Sequence, residues 1–520
     1  MIELREIYRH IGKASGIIII ITLTDKLLAV TKEIFTAHYF GVSPALDVFN
    51  IAYAFPGIIS LIISGALISA FVPLYIEWSN KLSPQQANSD ALSVMFIAFL
   101  LLGLITALCY LLSPVILTLV GYGFGPKERA LGIAVERFLV FLILIEGTGI
   151  LFASILQARK RFFDFQVSFL FVNIAIIISL VFFQKRLGIH ALVWGFLLGT
   201  LCKIIYMAVA LHRNGFHLFS KIVFDRSKLL AFFYLVLPLL GSELVVNVNL
   251  LIDQVMATQL PAGSVSTLRY AFRINDMPIQ IIILAVAVAI FPFISERALE
   301  KDYDGLRHLF NQSVIFLGFL TFPIISLVTL FAQDVVGILF QRGAFDIHAT
   351  EQTAETFFFY SLGLFFLSYT FINSTFFSGL KDTKPLFYIG CLSTFMNILL
   401  NLLFMSYFGV KGIALSTTIT MLIVSLISVF LLNRRIKIVF SRLISNLLRI
   451  IIASTCALGL GFGLKWLSID YGIDRLLYVP LITIVVLLCY LLVCWILKTE
   501  ELIFFMNLFR KEKASNNESG

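Results

Sequence analysis

Long apolar runs separated by short polar connections set the pattern of this chain. A helix needs about 20 consecutive apolar residues to cross a bilayer. Runs of that kind predict helices near 13–39, 46–77, 91–120, 130–157, 162–184, 190–212, 229–258, 266–296, 308–332, 353–379, 385–407, 411–433, 444–466 and 475–497. They lack the strict alternation of barrel strands. A spanning segment must also satisfy its own backbone polar groups, which a helix does internally. The pattern therefore predicts an all-α polytopic membrane protein of about fourteen transmembrane helices. The first run contains Asp25, Lys26, Lys32 and Glu33. A cleaved signal peptide would not carry four charges in its apolar core, so a retained helix is expected. Only the tail from about Lys511 to Gly520 reads as disordered.

Composition strengthens this picture. The chain is 59% hydrophobic and 13% charged, against about 25% charged in a soluble domain. Its net charge of +9 fits loop asymmetry better than nucleic-acid binding. With a cytoplasmic N-terminus, the inner segments hold 25 Lys and Arg and the outer segments 9. That split is what the positive-inside rule requires, and it predicts that both termini are cytoplasmic. The six cysteines fall in or near apolar spans without a metal-binding spacing, so no metal site is expected. His190 and His348 stand alone, no outer loop is long, and no phosphate-binding glycine loop occurs. These features argue against an enzyme or an ATP-driven pump.

A repeat is visible at an offset of 222 residues. Gly41, Leu46, Asp47 and Pro56 align with Gly263, Leu268, Arg269 and Pro278. The repeat groups the chain as an N-lobe of six helices (1–228), a C-lobe of six helices (229–440), two C-terminal helices (441–498) and a cytoplasmic tail (499–520). Transporters commonly place their substrate site between two related halves.

Charge within the spans concentrates in the leading helices of both halves. An ionised residue at mid-bilayer costs about 2.5–3.5 kcal/mol on insertion scales, so it usually faces a bundle interior or a wet cavity. On the first helix, Asp25 falls in one arc with Lys32, and Lys26 with Glu33. Asp47 and Asn50 open the second helix. Ser242, Asn249 and Asp253 share one face of the seventh helix, with Glu243 and Asn247 on another. Arg269, Arg273, Asp276 and Gln280 share a face of the eighth, which Pro278 is expected to interrupt. Glu136, Arg137 and Lys203 read as interfacial side chains that snorkel. Glu146 can line a cavity or pair within its lobe.

The first two helices carry Lys32-Glu33-Ile-Phe-Thr-Ala-His-Tyr-Phe-Gly41, Asp47, Ala-Phe-Pro56 and Gly65-Ala-Leu-Ile-Ser-Ala-Phe-Val-Pro73. Further on come Leu251-Ile-Asp253, Ala262-Gly-Ser-Val-Ser266, Tyr270-Ala, Arg273, Pro278, Leu339-Phe-Gln-Arg-Gly343 and Leu380-Lys-Asp-Thr-Lys384-Pro385. This ordered series resembles the MurJ/MviN-type lipid II flippases. The resemblance implies the multidrug/oligosaccharidyl-lipid/polysaccharide exporter fold, with two six-helix lobes in a V plus two C-terminal helices. It implies alternating access around a cationic cavity that grips an undecaprenyl-diphosphate-linked saccharide. Arg273 matches a cavity arginine of that family and Asp47 its helix 2 acid, while Lys32-Glu33 stands where Arg-Asp is usual. Where the family carries helix 2 arginines and then Glu-Gly, this chain has Gly57-Ile-Ile-Ser-Leu and then Ser64-Gly65.

The expectation is thus a flippase of the bacterial inner membrane, active in peptidoglycan synthesis. Lys32, Arg269 and Arg273, with Asp47 and Asn50, would bind the substrate. Asp25, Lys26, Glu33, Glu243, Asn249, Asp253 and Asp276 would line the cavity or couple an ion. No cofactor is expected beyond a coupling cation (Na+ or H+) or the membrane potential. The expected partners are the lipid-linked substrate, membrane lipids and enzymes of cell-wall or polysaccharide synthesis. Flippases of lipid-linked exopolysaccharide or O-antigen units remain alternatives, as does a cation-coupled drug exporter, although clustered cations disfavour the last.

Overall fold

The computed structural model describes residues 2–500 and Leu502, apart from 219, 221 and 383. Side chains are described from Ile20 onward, leaving out 242, 245–247, 249, 250, 280, 284, 285 and 288. Among the described residues the fold is helical throughout, with seventeen α-helices and one π-helical turn. They are α1 (Ile2–Phe40), α2 (Pro44–Lys81), α3 (Pro84–Val120), α4 (Pro126–Leu139), α5 (Phe141–Ala158), α6 (Phe162–Leu187), α7 (His190–Arg213) and α8 (Arg226–Ala257). Then follow α9 (Ser264–Pro278), the π turn Ile279–Ile283, α10 (Leu284–Glu300), α11 (Tyr303–Phe340), α12 (Ile347–Leu362) and α13 (Leu364–Gly379). Last come α14 (Lys384–Phe408), α15 (Val410–Ile436), α16 (Phe440–Asp470) and α17 (Arg475–Ile496).

Each predicted segment lies on one of these helices or on a helix pair. Ten helices among the described residues are long and apolar enough to cross a membrane, or eleven if α12 and α13 form one bent span. The protein is an all-α, multi-span membrane protein. Its lipid-facing surface is plain on α3, where Leu100, Leu104, Leu108, Leu111, Val115 and Leu119 are all exposed. Their spacing of three to four residues makes one continuous apolar stripe.

Helix boundaries follow local chemistry. α2, α3 and α4 each begin with proline, whose missing N–H and fixed φ suit the first helical position. Ser43 and Ser83 cap the first two by accepting from the N–H groups of Leu46 and Gln86. Pro278 ends α9 as the sequence suggested, and the backbone continues as the π turn, a form common at functional sites. The 42° bend between α12 and α13 has a visible cause. The Thr418 hydroxyl donates to the Phe359 carbonyl at 2.6 Å, and Thr418 packs where a Cβ on Gly363 would lie. A side chain inserted into the helical ladder is a recognised source of kinks.

The chain divides into two compact units. Among the described residues, the first comprises those through Ser266 together with Arg342–Asp346; the second comprises Thr267–Gln341 and those from Ile347 onward. In the first unit, α2 packs against α4, α5 and α8, and α1 against α6. The most extensive packing joins α6 to α7. Ala191, Gly195 and Gly199 form a small-residue stripe there, and a Cβ on either glycine would lie 2.8 Å from the Cα of Ile176 or Val172. Helices in membranes use such stripes to approach closely and gain dispersion contacts. Gly41 has φ +56°, and a Cβ there would lie 2.1 Å from the Ala344 carbonyl oxygen. Glycine at 41 lets Arg342–Asp346 dock on the end of α1, where the Ala344 N–H donates to the His38 carbonyl at 2.8 Å. The repeat has a backbone counterpart: Gly41 and Gly263 both take positive φ just before a helix begins.

In the second unit, α11 is central and packs against α12, α13 and α16, while α14 pairs with α15 and α16 with α17. Its core includes Phe310, Phe331, Phe376 and Phe377, each at most 2% exposed. The two C-terminal helices are tied to α11 near the C-terminal end of α16. Lys465 pairs with Asp334 at 2.6 Å, and the Tyr478 hydroxyl donates to the other oxygen of the same carboxylate. At the opposite end Arg442 forms a fork on Glu500, with contacts of 2.9 and 2.7 Å. These hydrogen bonds hold the Glu500 carboxyl below the usual glutamate range, against a smaller opposing effect of burial.

Candidate functional site

The polar positions of α1 are held by specific neighbours. Lys32 and Glu33 are 7% and 8% exposed, and their side chains pair at 3.0 Å. The Lys32 ammonium also lies over the Phe196 ring of α7, 5.6 Å from its centroid. A cation over an aromatic face gains electrostatic stabilisation that grows as water is excluded. The helical arc put Asp25 with Lys32 and Lys26 with Glu33. In the structure Lys32 instead pairs with its sequence neighbour, because two long side chains bridge the angular separation. Asp25 accepts from the Asn173 amide of α6 at 2.9 Å, and Lys26 is exposed.

Asp47 is 3% exposed and fully engaged. Its carboxylate accepts from the Gly263 N–H at 2.6 Å, the Ser266 N–H at 2.7 Å and the Ser266 hydroxyl at 2.5 Å. Those amides lie at the start of α9, where helical N–H groups have no intrahelical acceptor. An aspartate from α2 thus caps α9, with the charge sign that a helix N-terminus favours. The Asn50 amide, one turn on, donates to the Ser266 hydroxyl at 3.4 Å. Asp47 and Asn50 are therefore brought together by Ser266 in the first turn of α9.

Glu243 of α8 meets Gly65 of α2. A Cβ on Gly65 would fall 2.4 Å from the Glu243 carboxyl carbon and one of its oxygens. The glycine leaves the space that this carboxylate fills. It stands one residue after Ser64, the position at which the resembling family carries an acid. Asp253 is half-buried on the same helix. The side chains of Ser242, Asn247, Asn249 and Gln280 lie outside the described residues.

In the second unit, Arg269, Arg273 and Asp276 are half-buried along one face of α9. The other faces hold Thr267, Leu268, Tyr270, Ala271, Ile274 and Asn275, all buried. The Phe272 ring packs edge-on against Tyr360, centroids 5.8 Å apart, and Tyr270 packs against Phe340. Aromatic packing thus fixes the roll of α9 and keeps its two arginines on the more open face.

Two expectations for buried charge are corrected. Lys203 does not snorkel: it is 6% exposed, pairs with Glu146 at 2.7 Å and lies over the Phe169 ring at 4.8 Å. Glu146 thereby pairs within its own unit. Glu136 is also buried, at 0% exposure, against the apolar contact between α3 and α4. Arg137 next to it is exposed over the Tyr110 ring, which fits an interfacial side chain. Sequence reasoning missed the Lys203–Glu146 pair because its members sit on different helices, each isolated in an apolar run. A lone charge deep in such a run is the only signal, and it does not name its partner.

Comparison with known families decides the identity. The family model described as lipid II flippase MurJ matches residues 36–478. The chain belongs to the lipid II flippase MurJ family. Among curated members, it is 26% identical over 438 residues to the "Probable lipid II flippase MurJ" of Borreliella burgdorferi, covering 84% of this chain and 86% of that one. It is 28% identical over 409 residues to the protein of the same name from Rhizobium meliloti, covering 76% and 75%. The fold matches a solved lipid II flippase MurJ in an inward closed conformation, with TM-score 0.79, 23% identity, and 95% and 99% of the two chains covered. It also matches an inward-facing multidrug resistance MATE family transporter of the MOP superfamily, with TM-score 0.69, 15% identity, and 80% and 98% covered. Lys32 lies just outside the MurJ match, whereas Asp47, Glu243, Asp253, Arg269, Arg273 and Asp276 all lie within it.

Proposed function

We propose that the protein translocates lipid II, an undecaprenyl-diphosphate-linked saccharide, from the cytoplasmic to the outer leaflet by alternating access. The observation that carries this reading, beside family membership, is the Lys32–Glu33 pair buried in the C-terminal part of the long helix α1 of a membrane protein. Burying an ion pair costs several kcal/mol per ion before the mutual attraction offsets it. A pair retained at that cost is well suited to exchange. The diphosphate of an incoming substrate would replace Glu33 as the counter-ion of Lys32. Arg269 and Arg273, half-buried on α9, would supply further cationic donors, and the arginine fork matches phosphate geometry. Asp253 and Asp276 would accept these cations, or a coupling Na+ or H+, when no substrate is bound.

In this reading the protein sits in the bacterial cytoplasmic membrane with both termini inside, as the charge asymmetry of its loops predicts. The polyprenyl chain stays in lipid while the head group crosses. A membrane potential of about 100 mV is worth roughly 2.3 kcal/mol per charge moved, enough to bias the return of the empty carrier. Complementation of a flippase-depleted strain tests the proposal. Wild-type chain should restore growth, and Arg273→Gln at equal membrane abundance should not. Failure of the wild-type chain to restore growth, alongside rescue of a strain defective in exporting another lipid-linked glycan, would shift the substrate away from lipid II.

A further inference from the structure

A second polar site lies in the first unit, away from the residues discussed above. A cavity of about 230 Å³ opens where α2 ends, α3 begins and α5 turns into α6. Tyr75, Ser79, Asn80, Asn88 and Arg159 give it a polar lining, and Ile76 an apolar wall. It is smaller than the roughly 300–1,000 Å³ typical of sites for drug-sized ligands. A head group fits it, but a whole lipid-linked saccharide does not.

Arg159 is held in a fixed pose. Its Nε and Nη2 donate to the Tyr75 hydroxyl at 2.9 and 2.6 Å, Nη2 also donates to Asn88 Oδ1 at 3.0 Å, and Nη1 donates to the Asn214 carbonyl at 2.6 Å. The guanidinium also lies over the Tyr75 and Phe216 rings, 5.7 and 5.4 Å from their centroids. Four of its five N–H donors are used, and the second proton on Nη1 has no partner among the described residues. The Ser79 hydroxyl and the Asn80 amide, both exposed in the same lining, make no hydrogen bond among the described residues either.

Among the described residues, no carboxylate lines the cavity. The nearest acid in sequence, Glu77, is paired with Lys81 at 2.7 Å. Lys160 and Arg161 follow Arg159 directly. The chemistry is a cationic pocket with spare donors and no competing anion.

We infer that this pocket seats the phosphodiester head group of an anionic membrane lipid. Basic pockets between transmembrane helices on the cytoplasmic side take such head groups, and the loops around this one are those the charge rule places inside. Apolar surface adjoins it: Ile76 on the wall is 42% exposed, and Phe162 and Phe163, next after Arg161, are 46% and 51% exposed. Acyl chains would cover that surface, whereas a soluble anion would leave it bare.

The test uses the purified full-length protein in a neutral detergent. Phosphatidylglycerol, phosphatidylcholine or inorganic phosphate is added, and the unfolding midpoint is read by tryptophan fluorescence alongside native mass spectrometry of bound lipid. Phosphatidylglycerol should raise the midpoint and remain bound, while phosphatidylcholine and phosphate should do little. Asn80→Asp places a carboxylate on the lining at an exposed position that loses no hydrogen bond. It should keep the lipid-free midpoint and weaken phosphatidylglycerol binding about tenfold through charge repulsion. Equal effects of the two lipids, or undiminished binding to Asn80→Asp, would overturn the proposal. Stabilisation by phosphate alone that matches phosphatidylglycerol would also overturn it, assigning the pocket to a soluble anion.

Discussion

Replacing Asp47 tests how the start of α9 is held. The carboxylate accepts two backbone N–H groups and one hydroxyl, all within 2.5–2.7 Å and shielded from water. Hydrogen bonds to a charged group contribute about 1.5–3 kcal/mol each. A lost helix cap costs about 0.5–2 kcal/mol, and the terms overlap. Asp47→Ala should therefore destabilise the start of α9 by about 3–5 kcal/mol. Asp47→Asn keeps one acceptor oxygen, turns an amide toward one of the donors, and should cost about half as much. Amide hydrogen exchange reads the effect where it arises. If these amides exchange by local opening, a loss of 3 kcal/mol speeds exchange at Gly263 and Ser266 by about a hundredfold. Amides in the middle of α6 and α7 should be unchanged. Equal protection at Gly263 and Ser266 in the wild-type and Asp47→Ala proteins would refute the capping role.

Three further perturbations follow from the packing. Lys203→Met or Glu146→Gln alone should cost about 3 kcal/mol by leaving an uncompensated buried charge, while the double variant should recover most of it; a double-mutant cycle on unfolding midpoints that finds additive losses would contradict a direct pair. Gly199→Val drives a side chain into the backbone of α6, because a Cβ there already lies 2.8 Å from the Val172 Cα; folded yield from membranes should fall severalfold, and normal yield would show that α6 and α7 need no close approach. Glu500 has a folded pKa held below its ordinary value of about 4. Its contribution to stability is then complete at neutral pH and is lost as the pH falls through and below that range. Glu500→Gln should lower the midpoint at pH 7 and flatten its acid limb, and parallel pH profiles for the two proteins would exclude the linkage.

Much of the fold is legible in the pattern of apolar runs, since each predicted segment overlies a helix. Helix lengths are less legible. α3 begins at Pro84, seven residues before its predicted start, because Gln85, Gln86 and Asn88 extend it as polar turns beyond the apolar run. Apolar runs report the thickness of lipid, not where backbone hydrogen bonding stops. The bend between α12 and α13 was hidden for a related reason: its cause, Thr418, lies on α15. Candidate site residues were legible as charges that do not belong in lipid, but their partners were not. Asp47 and Arg273 stand out in the sequence, yet only coordinates show Asp47 spent on amides at the start of α9. Lys203 looked interfacial because it lies near a helix end in number, while its partner Glu146 comes from a different helix.

The most direct measurement follows lipid II itself across the membrane. In cells depleted of their own flippase and carrying this chain, radiolabelled lipid II is exposed to a membrane-impermeant hydrolase added from outside. With the wild-type chain most of the labelled head group should be released; with Lys32→Gln or Arg273→Gln at equal protein level it should stay protected. Release undiminished by both substitutions would contradict a carrier that grips its substrate through these cations.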